Sequence, residues 1–194
     1  MAALFSKTAK LPPISDKTKL LAFDLEANGL HGQAFAVGAV LIDASGAVTE
    51  TFVARCPIQG PTDPWVQQNI LPAITNMPIS HQTYEALREA FWRWYLTVEP
   101  EADYVLVNNG YPVEHRFLID CQEADLQTRY WQHPYPVLDL SSLLLMVTNK
   151  SLSKGQLLNK VKASGSFVPH HPLDDAKVTA LMAFEAFRQT GLIQ

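Results

Sequence analysis

An apolar run that ends in two closely spaced carboxylates constrains this chain more than any other feature. Residues 20–25 are mostly apolar, and Asp24 and Glu26 stand two positions apart at the end of the run. Because side chains alternate along a strand, both carboxylates are expected on the same face. Asn28-Gly29 follows and predicts a sharp turn. Adjacent carboxylates repel each other unless a cation lies between them, so this segment has the form of half a Mg²⁺ or Mn²⁺ site.

The composition is that of a globular domain without a broad basic surface. Of the 194 residues, 47% are hydrophobic and 18% are charged, and the formal net charge is -4. This argues against a protein that binds nucleic acid by counterion release alone, although bound divalent metals can supply positive charge locally. No segment has the length and hydropathy of a membrane span or a secretion signal, and two cysteines make no disulfide framework. We therefore expect a cytoplasmic protein that does not enter a membrane.

Hydrophobic patterning predicts a mixed sheet flanked by helices. Three strands come first and suggest an antiparallel meander, over residues 20–25, 35–42 and 48–55. A proline-rich connection follows, with a short helix near residues 65–71. Strands over residues 104–107 and 137–140 then alternate with predicted helices, which cover residues 82–98, 113–122, 143–148, 152–162 and 174–189. We expect residues 1–17 to be a flexible N-terminal leader and residues 18–194 to form a single domain.

Two later segments could complete the metal site. Asn109-Gly110 follows the fourth predicted strand, and Glu114 lies near the start of the next helix. His170 precedes Asp175 by five residues, and Asp175 falls in the first turn of the last predicted helix. Acids in a first turn are also favoured by capping and by the helix dipole, and we assign only that structural role to the neighbouring Asp174.

Taken in order, these segments resemble the three motifs of the DEDDh group of DnaQ-like 3′→5′ exonucleases. The resemblance covers about residues 18–190, and its motifs are Asp24-x-Glu26 with Asn28-Gly29, then Asn109-Gly110 with Glu114, then His170 with Asp175. The family normally has aspartate where this chain has Glu114. Glutamate keeps the charge and adds a methylene, so we expect Glu114 to be a functional substitute.

The resemblance implies a fold, a cofactor and a role for each site residue. The fold would be an α/β, ribonuclease-H-like mixed sheet of five strands, three antiparallel and two parallel, flanked by helices. Two divalent metal ions, Mg²⁺ or Mn²⁺, would be held by Asp24, Glu26, Glu114 and Asp175, with Asp24 bridging both ions. His170 would be the general base that takes a proton from the attacking water. Single-stranded DNA or RNA would enter by its 3′ end, against Ala27, Asn28, Gly29, Leu30 and Asn109.

Other interpretations remain open at this stage. The chain could be a non-catalytic nucleic-acid-binding or scaffold protein on the same fold, or a phosphodiesterase of small oligonucleotides or cyclic nucleotides. Many stand-alone relatives are dimers, so we expect a homo-oligomer, most simply a dimer. Four lysines before the third motif either guide a strand to the site or form a solvated helix face; they are Lys150, Lys154, Lys160 and Lys162. The aromatic run over residues 91–95 is partly core and partly a candidate interface, whereas Trp65 and Trp131 are expected to be core or loop anchors.

Overall fold

A five-stranded mixed sheet runs through the centre of the fold. The computed structural model describes residues 12–148 and 154–193. The strands lie in the order β3-β2-β1-β4-β5, with bounds β1 Lys19–Ala27, β2 Ala34–Asp43, β3 Val48–Arg55, β4 Tyr104–Val107 and β5 Val137–Asp139. The first three strands pair antiparallel, and β4 and β5 pair parallel to β1 and β4 respectively. The predicted sheet is therefore confirmed, including its division into antiparallel and parallel parts.

Seven α-helices and one short 3₁₀ helix, Glu99–Glu101, are seen in the described part of the chain. The α-helices are α1 Pro64–Asn69, α2 Tyr84–Val98, α3 Val113–Glu123, α4 Leu126–Arg129, α5 Leu140–Thr148, α6 Lys154–Lys162 and α7 Pro172–Gln189. The four-residue helix α4 was not predicted, because a single turn leaves no hydrophobic period to recognise. The first two residues of the helix predicted over 152–162 lie outside the described residues. So do residues 1–11 of the predicted leader, whose flexibility stays a prediction.

The helices cover both faces of the sheet and form two hydrophobic clusters. Phe91, Trp92 and Phe117 from α2 and α3 pack on one face. Leu157 and Phe184 from α6 and α7 pack with neighbouring side chains on the other face. Because both faces are covered, β1 and β2 are buried along almost their whole length, which explains their nearly continuous apolar sequences.

The aromatic run on α2 belongs to this core. Phe91, Trp92 and Tyr95 are buried, and Trp94 packs against the same cluster beside Phe52. The run therefore offers little apolar surface for an interface, and the homo-oligomer stays a prediction. Among residues 12–148 and 154–193, no helix combines the length and the apolar character needed to cross a membrane.

A glycine on β2 determines how closely the last helix approaches the sheet. Gly38 pairs with Asp24 across the antiparallel ladder. A Cβ atom at Gly38 would lie only 2.1 Å from the backbone nitrogen of Leu173, in the first turn of α7. Only glycine permits this close backbone approach. The start of α7 is thereby held directly over the carboxylate end of β1.

Candidate metal centre

The first motif lies at the carboxyl end of β1, as its sequence predicts. Asp24 and Glu26 both line a cavity of about 360 Å³. The strand is central in the sheet, so Glu26 is buried and Asp24 is only partly accessible. Two carboxylates at the end of a rigid central strand are fixed in position before any ion or substrate arrives.

The last helix brings Asp175 and His170 to the same cavity. Asp175 lies in the first turn of α7, and His170 lies in the segment that leads into it. The Asp175 Oδ2 atom accepts a hydrogen bond of 2.7 Å from the backbone nitrogen of His170. The neighbouring Asp174 accepts from the backbone nitrogen of Val168 at 3.0 Å, which fits the structural role expected for it. The five-residue spacing of the third motif thus closes a tight turn at the edge of the cavity.

The second motif contributes a buried carboxylate from α3, which packs on the opposite face of the sheet from α7. Glu114, in the first turn of α3, is only 7% exposed. A backbone hydrogen bond from Leu25 favours its ionised form, and its charge acts on both Asp24 and Glu26. All four predicted carboxylates therefore converge on the end of β1 from three separate elements of the fold.

Burial and mutual repulsion raise the pKa of every carboxyl group in this cluster. Desolvation is the largest cause in each case, and the neighbouring acids add to it for Asp24 and Glu26. The pKa of Glu26 rises to about 8, that of Glu114 to about 7, and those of Asp24 and Asp175 rise as well. Without a cation, the cluster therefore retains protons near neutral pH. A divalent ion would replace those protons and relieve the repulsion.

The donor set fits a hard divalent cation. Carboxylate oxygens are the ligands that Mg²⁺ and Mn²⁺ prefer. Among the described residues, Glu26, His170 and Asp175 each offer a ligand atom, and these atoms lie within 4.8 Å of one another. His170 Nδ1 lies 3.9 Å from Glu26 Oε1. The imidazole predicted to be a base is therefore close enough to the carboxylates to act beside a bound ion.

The Asn28 side chain braces the turn that follows the first motif. The Asn28 side chain accepts from the backbone nitrogen of Asp63 at 2.7 Å and donates to the carbonyl of Pro61 at 2.9 Å. The backbone nitrogens of Asn28 and Gly29 donate to Gln33 and Ala27 at 3.1 Å and 2.8 Å. These groups hold the turn and the chain before α1 together. Their predicted contact with a terminal sugar stays a prediction and would require some of these bonds to open.

A second cavity lies beside the first and shares Leu25 and Glu26 with it. It has a volume of about 310 Å³, and Ala27, Gly29 and Leu30 contribute to its lining. Leu30 is highly exposed at its rim. The predicted substrate-contacting turn therefore does face an open space adjacent to the carboxylates.

Asn109 lies at the surface, and Asn108, rather than Asn109, lines the cavity. The same cavity holds Asp24 and Glu26.

Asp139, at the end of β5, accepts from the backbone nitrogen of Gly110 at 2.9 Å and from that of Ser142 at 3.0 Å. Asp139 was not predicted from the sequence. Its signal was a carboxylate at the end of the next parallel strand, the edge where the carboxyl ends of strands meet.

The lysines before the third motif divide into two groups. Lys154 and Lys162 line the acid-lined cavity. Lys160 instead pairs with Glu185 of α7 at 2.5 Å. Lys150 lies outside the described residues. Two of the four lysines are therefore in a position to meet an anionic ligand, and one is paired within the protein.

No protein-family model and no curated protein matches the sequence. Solved structures do match the fold. Exonuclease X in complex with 5′-overhanging duplex DNA aligns with a TM-score of 0.56 and 16% identity, over 89% of this chain and 93% of that one. The fold is the ribonuclease-H-like exonuclease fold.

Two further structures share this ribonuclease-H-like fold. The zinc-bound E. coli exonuclease I complex with single-stranded DNA aligns with a TM-score of 0.63 and 20% identity, over 91% of this chain and 42% of that one. S. pombe Pop2p with Mg²⁺ and Mn²⁺ bound aligns with a TM-score of 0.61 and 14% identity, over 87% and 82%. This chain therefore spans less than half of the exonuclease I chain and most of the other two.

Proposed function

We propose that this protein is a metal-dependent 3′→5′ exonuclease that hydrolyses the phosphodiester bonds of single-stranded DNA or RNA. The observation that carries the proposal is that Asp24, Glu26, Asp175 and His170 line one cavity. The buried carboxyl group of Glu114 is close enough to raise the pKa of Asp24 and Glu26. The shared fold supports it, because exonuclease X and exonuclease I were both captured with DNA. At this level of identity, the activity itself rests on the site and not on the likeness.

The four carboxylates would hold two divalent metal ions, Mg²⁺ or Mn²⁺. The S. pombe Pop2p structure, which shares the fold, is a Mg²⁺- and Mn²⁺-bound form. Such ions supply positive charge that offsets the charge on a phosphate and on a leaving oxygen. The protein contributes the rest of the arrangement. The central strand keeps Asp24 and Glu26 in place, and the close contact of α7 with Gly38 keeps Asp175 opposite them.

His170 would act as the general base. Its side chain is 43% exposed, so that water can reach the imidazole from the mouth of the cavity. Its backbone is tied to Asp175 by a 2.7 Å hydrogen bond, which keeps the ring close to the carboxylates. The imidazole would take the proton of the attacking water and release it to solvent.

Selection for a chain end would come from the second cavity. A terminal nucleoside would occupy the space lined by Ala27, Gly29 and Leu30, while its phosphate lies in the adjoining acid-lined cavity. The two spaces share Glu26, so a phosphodiester bond could lie across their boundary. Lys154 and Lys162 would meet the phosphates of the strand that extends away from the site.

The test is a time course on 5′-labelled single-stranded DNA and RNA oligonucleotides with Mg²⁺, Mn²⁺ or EDTA. Wild type should produce a ladder that shortens from the 3′ end, with a divalent metal only. Asp24→Asn keeps the size of the side chain and should remove the ladder, whereas Asp174→Asn should retain it. A 3′-labelled strand tested in parallel should release mononucleotides first. Hydrolysis confined to substrates of a few nucleotides would favour the small-substrate phosphodiesterase, and no hydrolysis with either metal would overturn the proposal.

A further inference from the structure

An aromatic residue that is distant in sequence touches the ring of the proposed base. The ring centroids of Trp65 and His170 lie 5.4 Å apart, and the ring planes meet at 88°. This edge-to-face arrangement is a favoured geometry for two aromatic rings. Trp65 lies on α1, more than a hundred residues before His170, so neither motif spacing nor helix periodicity pointed to the contact.

The imidazole of His170 has few other constraints. Its backbone has φ of 62°, a left-handed conformation that a residue other than glycine seldom adopts. The backbone nitrogen is fixed by Asp175, but the contact between the ring nitrogen and Glu26 is 3.9 Å, too long for a hydrogen bond. The backbone is therefore held from the α7 side, while the orientation of the half-exposed ring depends on what packs against it.

Trp65 is itself held on a firm support. Asp63 caps α1 and accepts from the backbone nitrogens of Trp65 at 2.8 Å and Val66 at 3.3 Å. The Asn28 side chain bonds to the Asp63 backbone, so the start of α1 is tied to the turn that follows Glu26. Val66 is fully buried beneath the helix. Yet the Trp65 side chain remains 54% exposed, more than burial in a core would require, and it lines the second cavity.

We propose that Trp65 is a positioning residue for His170, holding the imidazole in the orientation in which it can accept a proton from water. The inference rests on the role proposed for His170 as the base. Trp65 also lines the cavity proposed for the terminal nucleoside, so the test must separate an effect on the His170 ring from an effect on substrate binding. A misplaced base lowers the rate of the chemical step and leaves substrate binding largely intact.

The kinetic test compares Trp65→Ala, Trp65→Phe and Trp131→Ala on a single-stranded oligonucleotide with saturating Mn²⁺. Trp131 is the matched control, because it is also an exposed tryptophan and its ring contacts Tyr130. Trp65→Ala should lower kcat about tenfold to hundredfold with KM changed by less than about threefold. Trp65→Phe keeps an aromatic ring and should retain most of kcat, and Trp131→Ala should match wild type. A rise in KM with unchanged kcat would make Trp65 only a surface for a nucleobase and would overturn the proposal.

A double-mutant cycle tests whether the effect passes through the imidazole. In a His170→Ala background, Trp65→Ala should cause no further loss of kcat, because the ring it positions is gone. Losses that multiply would show that Trp65 acts elsewhere, and would contradict the proposal.

A measurement that needs no activity separates this inference from the exonuclease proposal. Proton and carbon spectra of histidine-labelled, metal-free protein should show one His170 ring signal, identified by its loss in His170→Ala. In Trp65→Ala that signal should shift, because the ring current of the indole is removed, and its relaxation should report a more mobile ring. Unchanged ring mobility in Trp65→Ala would refute the positioning role whatever the catalytic result. Wild-type protein without nuclease activity but with this loss of order would instead refute the base role and leave the positioning contact standing.

Discussion

Two helices each bring a carboxylate from their first turn towards the end of β1, and they do so in different ways. The position of Asp175 is set by backbone packing, because the first turn of α7 touches β2 at Gly38. The α3 helix has no side-chain cap at Pro112, and Glu114 meets the backbone of Leu25 through its own side chain. Where the backbone of a helix is fixed by packing, only one side-chain length puts the carboxylate at the site. Where the side chain itself makes the contact, side chains of different length can still bring a carboxylate there. This difference gives a physical reason why the aspartate expected by family resemblance can be glutamate at position 114 and not at position 175.

The strongest test exchanges the lengths of the two side chains. Asp175→Glu should reduce kcat by at least about a thousandfold, because the backbone of α7 is fixed at Gly38 and a longer side chain would move the carboxylate away from its place beside Glu26. Glu114→Asp should lower kcat only about tenfold, because the negative charge remains and the side chain is only one methylene shorter. The measurement is kcat with Mg²⁺ and with Mn²⁺. Asp174→Glu is the control for the α7 change, and equal losses for Asp175→Glu and Glu114→Asp would end the contrast between the helices.

The contact beneath α7 can be tested without changing a charged group. Gly38→Ala would push its Cβ atom into the backbone of Leu173, so α7 must move away from β1. We expect a loss of kcat of about a hundredfold and a decrease of about 1–3 kcal/mol in the free energy of unfolding. Activity assays and denaturant unfolding of the same preparation would measure both. Gly60→Ala is a useful comparison, because that glycine has open space around it, although its positive φ adds some strain. A fully active Gly38→Ala protein would show that α7 is not held there.

The sheet and the order of the site residues could be predicted from sequence, whereas much of the support around them could not. Alternating and continuous apolar runs are local signals, and they located β1, β2 and β3 along with Asp24 and Glu26. Asp175 could also be predicted, because the first turn of a helix is a local feature of the sequence. Trp65, Asp139 and the bracing role of Asn28 depend on contacts between segments far apart in the chain. No periodicity carries that information, so only the folded structure reveals it.

Proton binding by the cluster should make the stability of the metal-free protein depend on pH. Burial raises the pKa of Glu26 to about 8 and that of Glu114 to about 7, from ordinary values of 4.5. Between pH 5 and 8 the folded protein therefore holds more protons than the unfolded chain, so the free energy of unfolding falls as pH rises. Thermal unfolding in EDTA should show Tm decreasing over this range, and added Mn²⁺ should restore it, most strongly at the upper end. Glu26→Gln should weaken the pH dependence, and a Tm independent of pH in EDTA would argue against a strained acid cluster.

The smallest expected effect concerns the cationic rim that α6 adds on the α7 side of the cavity. Lys154→Gln with Lys162→Gln should raise KM for a single-stranded oligonucleotide about threefold to tenfold and reduce its dependence on salt, because two phosphate contacts are lost. Lys160→Gln is the matched control, since Lys160 pairs with Glu185 and points its charge elsewhere. A titration of KM against salt concentration for the three proteins would measure the effect. If the double variant and Lys160→Gln show the same KM and the same salt dependence, the lysines of α6 do not contact the substrate.

Asp139 has a consequence for anyone who wishes to redesign the loops around this cavity. Its two carboxylate oxygens receive one backbone N–H from Gly110, before α3, and one from Ser142, at the start of α5. Both donors belong to the main chain, so the side chains at positions 110 and 142 do not make these bonds themselves. Position 142 could therefore take many side chains, provided that it does not become proline, the one residue without an amide hydrogen to donate. Position 110 has less freedom, because a Cβ atom there would lie 2.7 Å from His115 Nε2.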